Sequence, residues 1–225
     1  MADKYEILCY GDSNTWGTIG RWKKSAEPSE RFDENTRWTC ILQKELGEDY
    51  HVISEGLGGR TTIYPVKGQE WKNGETYLTP CLLSHRPLDL VILMLGSNDL
   101  HLKEPMTVEK LPVGITRLID IVQTLPKAGR GNRPAKILVV APVEVRPSDP
   151  NGRTEVYEEF YGDEGRKVSL AFPEVYEKVA REKGCWFINA QDYAVPGPAD
   201  GVHFDAQSHI RLGKAIANFI QHEIK

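Results

Sequence analysis

Gly11-Asp12-Ser13-Asn14-Thr15-Trp16-Gly17 follows directly on the apolar run Tyr5 to Tyr10, so a serine stands just beyond what reads as a first strand. A serine hydroxyl is a weak nucleophile at neutral pH and needs a base beside it. Of the six histidines, His203 in Asp200-Gly201-Val202-His203-Phe204 is the best placed to supply that base. A carboxylate three residues ahead of an imidazole can share one turn with it, and Gly201 eases that turn. Asp200 would accept the Nδ1 proton and leave Nε2 facing Ser13, the logic of a serine–histidine–aspartate triad. Cleaving an ester through serine also requires donors for the oxyanion, and losing one typically costs ~3–4 kcal/mol. The N–H groups of Ser13 and Gly59 and the side-chain amide of Asn98 are the candidates. Asp12 is expected to hold the nucleophile turn or to border the substrate, Trp16 either to line the acyl site or to serve as a structural aromatic, and His101, close to Asn98 in sequence, either to be an ordinary residue outside the site or to border the cleft.

These residues need a scaffold that gathers them. The chain reads as strands alternating with helices. The strands are Tyr5–Tyr10, Tyr50–Ser54, Leu88–Leu95, Ile137–Val140 and Cys185–Asn189. The helices are Thr36–Leu46 with Thr36 as cap, Glu75–Ser84, Thr107–Thr124 with Pro112 as a potential kink, Val168–Lys183 and Ala206–Ile224. This alternation predicts a three-layer α/β/α sandwich around a five-stranded, mostly parallel sheet, formed as one domain by residues 1–225. Polar clusters at Ser13, Gly58/Gly59, Asn98 and Asp200/His203 each follow a strand, and the ends of parallel strands share one edge where ligands bind. The loop Arg21–Asn35 reads as a wall of that cleft, and Pro126–Pro134 as an exposed linker. Arg146–Lys167 carries Tyr157, Phe160 and Tyr161, aromatics that suggest a lid or a subunit contact around Val156–Tyr161.

With 225 residues, 40% hydrophobic, 27% charged and a net charge of −4, the composition is that of an ordinary soluble protein. No basic stripe points to nucleic acid, and no apolar stretch approaches the ~20 residues of a membrane helix. The first strand begins too early to leave room for a signal peptide, so a cytoplasmic location is expected. Four scattered cysteines form no C-x-x-C pair and are read as structural.

Gly11-Asp12-Ser13, Gly58-Gly59, Gly96-Ser97-Asn98-Asp99 and Asp200-Gly201-Val202-His203 together resemble the conserved blocks of the SGNH (GDSL-type) hydrolase superfamily. Gly11–Gly17, Arg37-Trp38-Thr39, Glu55–Thr62 and Leu88–Asp99 are most similar to its bacterial arylesterase/acyltransferase (perhydrolase) branch. The resemblance implies a flavodoxin-like fold and hydrolysis of small esters without metal or other cofactor. It further implies some acyl transfer to alcohols or peroxide, and assembly into a homo-oligomer such as an octamer. Asn14 replaces the leucine of the name motif, which bears on the shape of the acyl pocket. In the second block Gly59, Gly58 and Gly56 all remain open as the donor. Gly-x-Ser-x-Gly is absent, which separates the chain from the α/β-hydrolases.

On the same serine chemistry, a carbohydrate O-acetylesterase, a thioesterase and a lysophospholipase remain open. Two further readings differ in kind: a zinc hydrolase using His203, Asp205 and His209, and a non-catalytic binding protein on the same fold.

Overall fold

The computed structural model describes residues 4–21, 29–147 and 155–224. Five strands, β1 (Tyr5–Gly11), β2 (Tyr50–Gly56), β3 (Leu90–Met94), β4 (Lys136–Ala141) and β5 (Trp186–Asn189), form one parallel sheet. Their order, β2-β1-β3-β4-β5, is that of flavodoxin-like folds, and it reverses direction between β1 and β3. Every residue of β3 is buried, as expected of an unbroken aliphatic run covered on both faces.

The helices are α1 (Ser13–Trp16), α2 (Trp38–Leu46), α3 (Gly74–Ser84), α4 (Leu111–Gln123), α5 (Glu155–Glu159), α6 (Gly162–Leu170), α7 (Phe172–Glu182) and α8 (Ala206–Glu223). Alternation along the strands sends Leu8 and Tyr10 into one core with Leu78 and Leu82 of α3, Ile115 and Leu118 of α4, and Phe172 and Tyr176 of α7. Ile7 and Cys9 enter the opposite core with Trp38 and Leu42 of α2 and Leu212, Ile216 and Ile220 of α8. The expected three layers and five strands are therefore present. All four cysteines are free thiols, and no described helix is long and apolar enough to cross a membrane.

Several boundaries differ from the sequence reading. Thr36 does not cap α2: its hydroxyl bonds Asp33 Oδ1 at 2.9 Å, within a turn that precedes the helix. Thr107–Lys110 forms a separate turn, and α4 starts at Leu111, so Pro112 sits in its first turn, where no N–H is needed and no kink follows. Val168–Lys183 is two helices rather than one. Pro173 cannot donate to the preceding turn, so α6 ends at Leu170 and α7 begins at Phe172. The Pro126–Pro134 linker folds into two short 3-10 turns that bury Ala128. Parts of the loop Arg21–Asn35 and of Arg146–Lys167 (residues 22–28 and 148–154) lie outside the described residues.

Candidate active site

Ser13 opens α1, two residues past the end of β1. Asp12 accepts the Asn14 N–H on Oδ1 at 2.9 Å, and Gly17 closes the turn at φ 94°. This single helical turn leaves Ser13 8% exposed at the C-terminal edge of the sheet. The loop after β5 brings the imidazole to it. Asp200 Oδ1 accepts the N–H groups of Val202 at 3.0 Å and His203 at 2.9 Å, a tight turn made possible by Gly201 at φ 75°. The hydrogen-bonded chain then runs from Asp200 Oδ2 to His203 Nδ1 at 2.7 Å, and from His203 Nε2 to Ser13 Oγ at 3.0 Å. Burial pushes the Asp200 carboxyl up, but the bond and charge of His203 and the two N–H groups outweigh it. The net shift is downward, so the carboxylate is ionised at neutral pH.

Asn14 faces this loop. Its Oδ1 accepts the Phe204 N–H at 2.9 Å and its Nδ2 donates to the Val202 carbonyl at 3.3 Å, so one side chain clips the residues on either side of His203. The departure from the name motif thus has a local role that the sequence alone did not reveal.

Gly58, Gly59 and Asn98 line the same cleft. Gly56 does not: a Cβ there would stand 2.1 Å from the Trp16 backbone nitrogen, so this glycine lets β2 pack against the nucleophile turn. Gly59 holds φ 76° with the Lys72 side chain over it, whereas a Cβ on Gly58 would meet open space. Asn98 Nδ2 donates to the Arg60 carbonyl at 3.1 Å and lies 3.5 Å from Asp12 Oδ2.

The cleft has a volume of about 430 Å³, within the range of small-molecule sites. Val156, Glu159 and Phe160 wall one side, with the His101 ring stacked on Phe160 at 5.1 Å. Tyr157 turns inward to the core, and the Tyr161 hydroxyl donates to the Leu102 carbonyl at 2.6 Å. Asp12 and Trp16 are not among the cleft residues, which corrects their reading as substrate contacts. Asp12 is buried beneath the turn that it caps. One helical turn carries Trp16 past the cleft, and its ring is covered by the Arg31 guanidinium at 5.0 Å.

Two carboxyls behind the site are held high. Burial pushes Asp12 up to about 6, against the Asn14 N–H and the charges of His203 and Arg60. Burial pushes Asp99 up to about 7, despite bonds from the Thr62 hydroxyl at 2.6 Å and the Thr62 N–H at 2.8 Å. His203, Asp205 and His209 do not share a point in space. Asp205 caps α8 through the Ser208 N–H at 2.6 Å. His209, pushed down to about 3 chiefly by burial, accepts the Trp38 N–H on Nδ1 at 3.4 Å. Among the described residues the one trio of metal-ligating donors within 4.8 Å is Glu55, Cys81 and His85. There Glu55 is already bonded to His85 at 2.7 Å, and burial pushes the Cys81 thiol up to about 12.

The sequence profile of the GDSL-like lipase/acylhydrolase family matches residues 9–210. Among solved structures, the aryl esterase of M. smegmatis is 34% identical, with 96% of this chain and 98% of that one covered at a TM-score of 0.86. Est24, a carbohydrate acetylesterase from Sinorhizobium meliloti, is 36% identical over 97% and 99% of the two chains at a TM-score of 0.85. Among curated proteins, none matches. With its matched span covering the end of β1, the other four strands, the serine turn and the histidine loop, the chain belongs to the GDSL-like lipase/acylhydrolase family, the SGNH esterases.

Proposed function

We propose that the protein hydrolyses small carboxylic esters through an acyl-enzyme on Ser13. The observation that carries this reading is the Ser13–His203–Asp200 hydrogen-bonded chain, at 3.0 and 2.7 Å, opening into the cleft. Ser13 Oγ attacks the ester carbonyl while its proton passes to His203 Nε2. The ionised Asp200 keeps Nδ1 protonated and stabilises the imidazolium. The N–H groups of Ser13 and Gly59 and the Asn98 amide receive the oxyanion. Neither N–H donates to another group among the described residues, so both are free to do so. His203 then protonates the leaving alcohol. Water, activated in the same way, attacks the acyl carbonyl and releases the acid and the serine hydroxyl. An alcohol or peroxide in place of that water would give acyl transfer.

The lining favours a second, narrower reading, removal of O-acetyl groups from carbohydrates. Arg21, Ser29, Lys72, Ser97, His101 and Glu159 present more hydrogen-bonding groups than a plain aryl ester needs, and Est24 is a carbohydrate acetylesterase. Assembly into a homo-oligomer, tested by sedimentation, completes the proposal. Ser13→Ala should abolish turnover of an aryl acetate with the fold intact, and a fluorophosphonate should label Ser13. Retained turnover or labelling elsewhere refutes the serine mechanism, and rates on acetylated sugars against aryl acetates decide between the two substrates.

A further inference from the structure

Arg60 is 2% exposed, yet among the described residues no carboxylate lies within ion-pair distance of it. Taking a guanidinium out of water costs several kcal/mol, so its surroundings must replace that hydration. They do so with backbone oxygens and rings. Arg60 Nη1 donates to the Gly11 carbonyl at 2.9 Å and, by a short bond, to the Glu55 carbonyl. The Tyr10 ring lies 4.2 Å and the Tyr77 ring 5.5 Å from the guanidinium carbon. Compensation is incomplete, because the buried Nε has no acceptor. As a stability device this is a poor choice, since an apolar side chain of similar volume would avoid the desolvation.

The two carbonyls explain the choice. Gly11 is the last residue of β1 and stands two residues before Ser13. Glu55 lies at the end of β2, just ahead of the glycine turn. The guanidinium therefore fixes, in one grip, the exits of both strands whose following residues carry backbone donors. The Arg60 main chain completes the arrangement. Its N–H donates to the Leu57 carbonyl at 3.1 Å and closes the turn that holds Gly58 and Gly59. Its carbonyl accepts from Asn98 Nδ2 at 3.1 Å and so aims the third donor.

We propose that Arg60 is the positioning residue of the oxyanion site, holding the Ser13 N–H, the glycine N–H and the Asn98 amide in one geometry from behind. The proposal rests on the serine-esterase reading, because it concerns the same tetrahedral intermediate. Arg60 touches neither substrate nor Ser13 and acts only through the groups it holds. Lysine keeps the charge but lacks the planar guanidinium that lies against the Tyr10 and Tyr77 rings and so aims Nη1 at both carbonyls in a fixed orientation.

The test compares Arg60→Lys and Arg60→Met with the parent enzyme on an aryl acetate. Each active fraction is fixed by exhaustive fluorophosphonate titration, and each fold by cooperative thermal unfolding. Both variants should lose about 10²–10³-fold in kcat/KM per titrated site, the loss typical of one missing oxyanion donor. An aryl boronic acid, which binds serine as a tetrahedral adduct, should weaken by the same factor, while KM changes far less. Combined with Asn98→Ala, Arg60→Lys should cost less than the product of the single losses, since both act on one amide. Four results overturn the proposal. They are parental kcat/KM per titrated site, a loss explained wholly by fewer titratable sites, boronate affinity that stays put while kcat falls, and full additivity with Asn98→Ala. Failure of Arg60→Lys to unfold cooperatively would make Arg60 a folding residue and equally end it. Ser13→Ala that stays active overturns the esterase reading instead, independently of any Arg60 result.

Discussion

Replacing Asn14 with alanine removes the acceptor of the Phe204 N–H and the donor to the Val202 carbonyl. Phe204 and Val202 are both buried, so water cannot take over these bonds in the native geometry. An orphaned buried donor costs ~1–3 kcal/mol. The 3.3 Å bond to Val202 adds little. For a chain of this size each kcal/mol lowers the melting temperature by ~2–4 °C, which places the expected fall at ~2–12 °C. Activity should suffer more than stability. His203 sits between the two clipped residues, and a misplacement of about 1 Å at a reacting group can cost ~10²-fold. Asn14→Leu, which restores the residue of the name motif, strands the same two backbone groups and should share the defect. Circular dichroism melts, kcat on p-nitrophenyl acetate and exchange of the Phe204 amide read the three consequences separately. Unchanged melting and turnover, with the Phe204 amide still protected, would show that the loop holds itself and that the clip is incidental.

The three glycines of the second block should separate by substitution to alanine. Gly58→Ala should be near parental, Gly59→Ala strained by ~1–2 kcal/mol through its positive φ, and Gly56→Ala unable to keep the nucleophile turn; expression yield and kcat/KM rank them, and a damaged Gly58→Ala with a healthy Gly56→Ala refutes the packing argument. Asp200→Asn should lower kcat by about 10⁴-fold by favouring the wrong imidazole tautomer, and a loss below tenfold in steady-state assays would remove Asp200 from the relay. Asp99 gives a pH test of stability. Its folded pKa is raised to about 7, so the native state holds a proton that the unfolded chain has already released above ~4. Stability from this group is thus full below ~4 and declines as pH rises towards 7. Asp99→Asn, which keeps the acceptor for the Thr62 N–H, should lack that decline; urea titrations showing the same pH slope in both proteins between pH 5 and 7 would refute it.

Much of this was legible because two simple periodicities coincide with the chemistry. The unbroken apolar run Leu90–Leu95 announces a doubly covered parallel strand, and parallel strands put all their exits on one edge. Ser13, Gly59, Asn98 and His203 could therefore be grouped without knowing any contact. The outcome was less legible where a side chain's direction or a long-range bond decides. Trp16 and Asp12 lie beside Ser13 in sequence, but a single helical turn rotates one past the cleft and the other beneath it. Asn14 works through a loop far along the chain, so no local pattern shows its partner. Arg60 gives no sign of its role in the sequence, because nothing in its neighbours reveals that strand-end carbonyls and two tyrosines will solvate it. Helices α5 and α6 escaped because their outward faces are charged, leaving only Tyr157, Phe160 and Tyr161 as a hint of packing.

The bonds divide the site into two supports that can be told apart kinetically. On one side, Arg60, Asn98 and the Asp99–Thr62 pair tie together the exits of β1, β2 and β3, which carry the proposed oxyanion donors. On the other, Asn14 and the Arg21 N–H, which reaches Asp200 Oδ2 at 3.2 Å, secure the histidine loop. In the proposed mechanism the first support fixes where negative charge is received, the second how the proton moves. Damage to the first should weaken tetrahedral adducts and leave the solvent isotope effect on kcat unchanged. Damage to the second should alter that isotope effect while boronate affinity follows only the misplacement of His203. Substitutions at Arg60 and Asn14 that produced identical signatures would mean that the site is one rigid unit, and that the separation drawn from its hydrogen bonds has no functional meaning.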